Sequence, residues 1–207
     1  RVANHAGYDS VYGGKWHVGR GGKQCSIDDD RFHGFRKICG FNDLKLAEAC
    51  STYLAGRDRS RPFFMVASFD DPHTICEWAH GESMSWGNLP PPPAEEDCPP
   101  LPANFAVDPY EPTMISQFRD LLHSDYLFPM HGVNPGEWRR MAWAYYELVQ
   151  RVDARVGDLL RVLREHDAQE DTIILFVGDH GEQLGSHGLQ QKGVLYEESL
   201  RVPLIAA

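Results

Sequence analysis

Positive charge is scarce. The chain of 207 residues sets 20 Lys and Arg against 30 Asp and Glu, a formal net charge of −10. That balance argues against a nucleic-acid partner, because neutralising phosphates takes a basic surface. An anionic small substrate would need a local cationic pocket instead. Long apolar runs are missing as well; none approaches the roughly 20 residues of a membrane-spanning helix. The five cysteines, at 25, 39, 50, 76 and 98, are odd in number and never spaced as CxxC. They read as reduced or incidental thiols, not as a metal site. An initiator Met, a signal peptide and a targeting tag are all absent. Arg1 and Ala207 fall inside apparent elements, so the chain is expected to be a piece of a longer protein.

What is present is globular in composition, 42% hydrophobic and 11% aromatic, and long enough to bury one core. Residues 172–177 (TIILFV) form an apolar, β-branched run with charge before it and Gly178 after it. This predicts a buried strand, in a parallel sheet. Asp179, His180 and Gly181 follow directly. In open α/β sheets the ligand crevice lies outside the carboxyl ends of the strands, and a carboxylate beside an imidazole there can donate to one metal ion. The bare tripeptide fits a turn closed by an Asx-type hydrogen bond better than a metal site. Lys192 comes thirteen residues past Asp179, in a loop between Gly188 and Gly193 where an ammonium could meet an anion.

Two more such edges precede it. Residues 1–7 read as a helix tail closing on Gly7, and residues 9–16 (DSVYGGKW) as a short strand with a glycine pair. Lys15 and His17 alternate along that extended backbone, so both point to one face, a pairing suited to an anion and a proton transfer. Residues 62–69 (PFFMVASF) predict a second buried strand, followed by Asp70, Asp71, Pro72 and His73. The acidic triplet 28–30 lacks the alternate spacing of a calcium loop and reads as solvated.

The remaining elements are connectors. Residues 43–59 have helical spacing, with Gly56 as breaker. Residues 75–112 hold nine of the fourteen prolines, which predicts a long irregular insertion. Residues 113–130 are weakly helical, and His123 and His131 read as surface or packing residues. Asn134, Pro135 and Glu137 form a helix start, and from there to about residue 166 apolar residues recur at a period of 3.6. Helix followed by strand gives the α/β alternation of a mostly parallel central sheet with flanking helices.

Taken together, GYDSVYGGKWHVG and GDHGEQLGSHGLQQKGVLYEESLRVPLI resemble two active-site segments of the sulfatases, a branch of the alkaline-phosphatase-like superfamily. Ser10 stands where Thr is usual and Val18 where Leu is usual. The resemblance implies that Asp179 and His180 bind a divalent metal, calcium by family. It implies that Lys15 and Lys192 bind sulfate, that His73, in a Pro-His segment after a strand, contacts the sulfate or leaving oxygen as a candidate general acid, and that His17 assists the nucleophile. The substrate would be a sulfated small molecule or polysaccharide, and the compartment periplasmic or secreted. The chain would be the central part of a sulfatase catalytic domain, with a proline-rich insertion at about 76–112. The family's formylglycine comes from a Cys/Ser-x-Pro-x-Arg motif; none of the five cysteines has that context, so the nucleophile and its neighbouring acidic ligands are expected upstream. The piece alone is then expected to be inactive. Within the superfamily a phosphodiesterase or phosphonate monoester hydrolase would share these motifs, and an inactive metal-binding remnant would lack the nucleophile.

Overall fold

A computed structural model describes residues 2–16, 34–123 and 134–207. The chain divides into two compact units, one of residues 1–74 and 149–172, the other of residues 75–148 and 173–207.

In the first unit a short helix α1 (Val2–His5) closes at Gly7 (φ +90°) and leads into β1 (Asp9–Gly14). β1 is the middle strand of three, parallel to β2 (Arg36–Cys39) on one side and β3 (Phe63–Ser68) on the other. Its central place explains why it is buried from Ser10 onward. The glycine pair is demanded by the packing. A Cβ on Gly13 would lie 2.7 Å from a methyl of Leu46, and one on Gly14, at φ +96°, would lie 1.9 Å from the Ser68 carbonyl. Gly14 also ends the strand, so Lys15 sits just past it, where its amide donates to Ser68 O at 2.8 Å. Lys15 therefore lies just past the end of the strand that the sequence predicts to run to Trp16, and His17 lies outside the described residues.

β2 and β3 flank β1 and run parallel to it, so the connection between them crosses over past β1. It carries a 3₁₀ turn (Asp43–Lys45) and helix α2 (Leu46–Gly56), which ends at the expected glycine. α2 buries Leu46, Cys50, Tyr53 and Leu54 with Val11, Cys39 and Val162 as the core of this unit.

The second unit opens with α3 (Ile75–Ala79), then runs through the proline-rich stretch, irregular except for a 3₁₀ turn (Glu95–Asp97), into α4 (Thr113–Leu122). A polyproline stretch bonds poorly to itself. Here Arg139 takes up its carbonyls, donating to Cys98 O at 2.6 Å and Pro99 O at 3.0 Å. Arg139 belongs to α5 (Pro135–Glu165), 31 residues long and capped by Asn134, whose side chain accepts from the Glu137 amide at 3.1 Å. Trp138, Met141, Ala144 and Leu148 from α5 form this unit's core with Ile75 and Met84. The C-terminal part of α5, residues 149–165, belongs to the first unit. Asp153 on it is exposed.

Two strand expectations are corrected. The run 62–69 forms β3, but that strand is half-buried, with Phe64 45% exposed, and not buried as predicted. The run 172–177 is a strand only at Leu175–Val177, here β4, and it is neither buried nor parallel. It pairs antiparallel with β5 (Leu204–Ala206), and Leu175 and Val177 are 64% and 58% exposed. The connection between them holds turns and a four-residue helix, α6 (Glu197–Leu200), instead of a crossover helix, so the chain returns against its own direction. Apolarity tells what a strand can bury; burial also needs a covering surface, and none of the described residues supplies it here. The α/β class with a parallel sheet and helices stands.

Among the described residues Cys39, Cys50 and Cys98 are free thiols. Burial, with Cys39 nearby, pushes the Cys50 thiol up to about 12. Among the described residues no helix is long and apolar enough to cross a membrane.

Candidate functional site

The three parallel strands of the first unit deliver their C-terminal ends to one edge. Lys15 follows β1, Asp43 lies four residues past β2, and Asp70 to His73 follow β3. Lys15 Nζ lies 3.0 Å from Asp70 Oδ1, with a fifth of its side chain exposed and Asp70 buried. The turn after β3 is gripped from below. The Asp43 carboxylate accepts the Asp70 amide through both oxygens, at 2.9 and 3.0 Å, and the Asp71 amide at 3.1 Å. The Thr74 hydroxyl donates to Asp71 Oδ1, and the His73 amide donates to Asp70 O at 2.8 Å. From α5, Arg155 reaches Asp43 Oδ2 at 3.2 Å and Asp71 Oδ2 at 3.8 Å, while Arg151 reaches Asp71 Oδ2 at 3.5 Å. Of residues 70–74 only His73 is exposed.

Three carboxylates thus face three cations at this edge. Burial pushes the Asp43 carboxyl above its ordinary value, opposed by the hydrogen bonds from Asp70 and Asp71 and by Arg155. Burial raises Asp71 too, opposed by Thr74, Arg151 and Arg155.

In the second unit Asp179 and His180 follow β4. The His180 amide donates to Asp179 Oδ1 at 3.1 Å, one residue on and not the two of the Asx-type turn that the tripeptide suggests. The ring adds something the turn does not need. His180 Nδ1 lies 2.8 Å from Gly181 O. A carbonyl only accepts, so Nδ1 carries the proton and Nε2 keeps its lone pair. Nε2 then stands 3.6 Å from Asp179 Oδ1, a spacing that two donors at about 2.0–2.6 Å from one cation readily span. A carbonyl on the second ring nitrogen is also how metal-ligating histidines are commonly oriented. The Asp179 side chain is 84% exposed. These two residues fit a divalent cation, with the remaining ligands to come from elsewhere; no group of three or more candidate ligands occurs among the described residues.

The loop bearing Lys192 is tied back to the same turn. Glu182 accepts the Gln191 amide, and Gln183 donates its amide to Gln191 O at 3.0 Å. Gln183, buried, also donates through its side chain to Ser199 Oγ at 2.7 Å. Burial raises the Glu182 carboxyl, opposed by the Gln191 and Leu184 amides and then by the Lys192 charge, which places Lys192 within electrostatic reach. The Tyr145 hydroxyl, on α5, is likewise raised by burial and by the negative charges of Glu182 and Asp179. Gly181 is required, since a Cβ there would lie 1.9 Å from Glu198 O. His187 stacks on Tyr196 with ring centroids 4.1 Å apart, a packing role.

The first unit therefore brings Lys15 and His73 to one edge, and the second brings Asp179 and His180 into donor geometry with Lys192 nearby. Reading the sequence overlooked Asp43, Arg151, Arg155 and Glu182. One signal was available: Arg155 falls on the same helical stripe as Leu148, Leu159 and Val162, where a charge is out of place unless it has a buried partner.

A family model described as Sulfatase matches residues 1–207. An arylsulfatase of Clostridium perfringens is 32% identical over 158 residues, 73% of this chain and 28% of that protein. A 2-O glycosaminoglycan sulfatase structure superposes over 99% of this chain and 44% of its own, with a TM-score of 0.75 and 24% identity. A phosphonate monoester hydrolase of Agrobacterium radiobacter does so over 99% and 51%, at TM-score 0.68 and 18% identity. The chain spans about a third of the length of the curated relatives it matches.

Proposed function

The chain belongs to the sulfatase family, and on that premise we propose that the full-length protein hydrolyses a sulfate monoester, with this segment supplying part of the site. The observation that carries the proposal is the Asp179–His180 pair, a bare imidazole nitrogen 3.6 Å from a carboxylate oxygen at a strand end. Asp179 and His180 would hold a divalent cation, calcium by family resemblance, although an imidazole ligand taken alone favours zinc or manganese. When bound, such an ion supplies positive charge opposite the sulfate oxygens and the nucleophile's oxygen. Lys15 and Lys192 bind sulfate oxygens as point charges. His73 donates the proton that the departing alkoxide or phenolate needs. His17 assists the nucleophile. That nucleophile is a formylglycine contributed from outside these 207 residues, so the segment by itself is inactive. A sulfated small molecule or polysaccharide is the substrate class.

The test uses the full-length protein with 4-nitrophenyl sulfate and 4-nitrophenyl phenylphosphonate as paired substrates, with and without chelator. Turnover of the sulfate ester, lost on chelation and in Asp179→Ala, supports the proposal. Preferential turnover of the phosphonate assigns the protein to the phosphoryl-transfer side of the superfamily, whose fold it also shares. A folded protein that turns over neither is a binding remnant.

A further inference from the structure

Three buried carboxylates at the edge of the first unit do work that the chemistry above does not name. Taking charge out of water is costly, and an ion pair with an apolar equivalent is often no stabiliser at all. A turn that needed only stability could be held by apolar packing. Here the Asp43 carboxylate, whose side chain is wholly buried, instead accepts the amides of both Asp70 and Asp71. Those two residues have separate duties. Asp70 pairs with Lys15 and accepts the His73 amide. Asp71 leads through Pro72 into His73 and takes the Thr74 hydroxyl. One carboxylate therefore fixes the segment that holds both a cation and an imidazole. Arg155 and Arg151, two turns of one helix, face Asp43 and Asp71 and offset the charge.

We propose that Asp43 is a positioning residue for Lys15 and His73, and that Arg155 holds Asp43 in its two-amide geometry. The role given to Lys15 and His73 rests on the sulfate-ester reading; the mechanical coupling does not. Small displacements of a group that must meet a reacting atom cost far more in rate than in stability.

The experiment is a pH profile of kcat/KM for 4-nitrophenyl sulfate with the full-length protein. His73→Gln removes the alkaline limb if His73 is the proton donor, and so identifies it. Asp43→Asn keeps one acceptor oxygen and loses the charge. It is expected to lower kcat about tenfold, with KM changed less, and to displace the alkaline limb by more than about half a unit. The charged groups placed at that edge include Lys15, Asp43, Asp70, Asp71, Arg151 and Arg155. A limb that stays in place, with kcat per folded molecule unchanged and only thermal stability reduced, overturns the proposal. Should Asp43→Asn not fold, Arg155→Lys, which keeps the charge and moves the head group, is read the same way. If the wild-type protein turns over no sulfate ester, the sulfatase reading falls. The positioning proposal is then decided separately by an NMR titration of the His73 ring in wild type and variant: displaced curves support it, coincident curves overturn it.

Discussion

The two units hold their candidate residues by opposite means. In the first, Lys15 and His73 stand on a parallel sheet edge whose underside is a closed network of buried carboxylates and guanidinium groups. In the second, Asp179 and His180 stand on an exposed two-stranded ladder, and their arrangement comes from short hydrogen bonds within the turn itself. The lesson is about what organises a site before its ligand arrives. Groups that act as bare charges and proton donors must be fixed by the protein, because nothing else will fix them. Groups that hold a cation need only be brought near the right spacing, since the ion completes their geometry when it binds.

The largest effect that would sharpen this contrast is on the exposed side. Asp179→Ala in the full-length protein should lower sulfate-ester turnover by about 10³-fold or more while barely moving its melting temperature. A large loss of stability with it would break the contrast. The reverse pattern is expected in the first unit. Arg155→Ala leaves Asp43 buried without its cation and should cost about 3 kcal/mol of stability in urea unfolding. Hydrophobic packing should divide the same way. Leu46→Ala, at a fully buried position, is expected to cost about 2–5 kcal/mol. Leu204→Ala, 69% exposed in this chain, should change its stability by less than about 0.5 kcal/mol. Equal losses at the two positions would mean that the β4–β5 ladder is covered after all.

The smallest effect is a pH dependence. Burial raises the Asp43 and Asp71 carboxyls, so the folded chain holds those protons more tightly than the unfolded chain. Their contribution to stability is fully present below the ordinary carboxyl value and is lost as pH rises through the raised ones. Relative to wild type, Asp71→Asn should therefore gain melting temperature as pH rises above the ordinary carboxyl value of about 3.9. Paired thermal scans check this, and a constant offset across that rise would sink it.

Most elements could be read from the residues because their signals are local. The Asn134 cap, the 3.6-residue period of α5, the breaker at Gly56 and the apolar run of β3 all depend on neighbours within a few positions, and all appear where expected. Asp179 and His180 could be placed at a strand end for the same reason. Strand 172–177 was misread in pairing and exposure, because pairing depends on where the chain goes next and burial on what lies across. Asp43 and Arg155 were passed over because their partners lie 27 and more residues away in sequence, and no local pattern encodes such a distance.

By itself, then, the sequence determined the class of fold, the order of its elements and which donor side chains stand at each strand end, since turn residues, periodicity and donor types are properties of short segments. Only the tertiary structure decided that three strands share one edge, that a carboxylate after β2 grips the turn after β3, and that His180 presents Nε2 to Asp179. Those depend on burial and on distances between remote residues, which exist only once the chain has closed on itself.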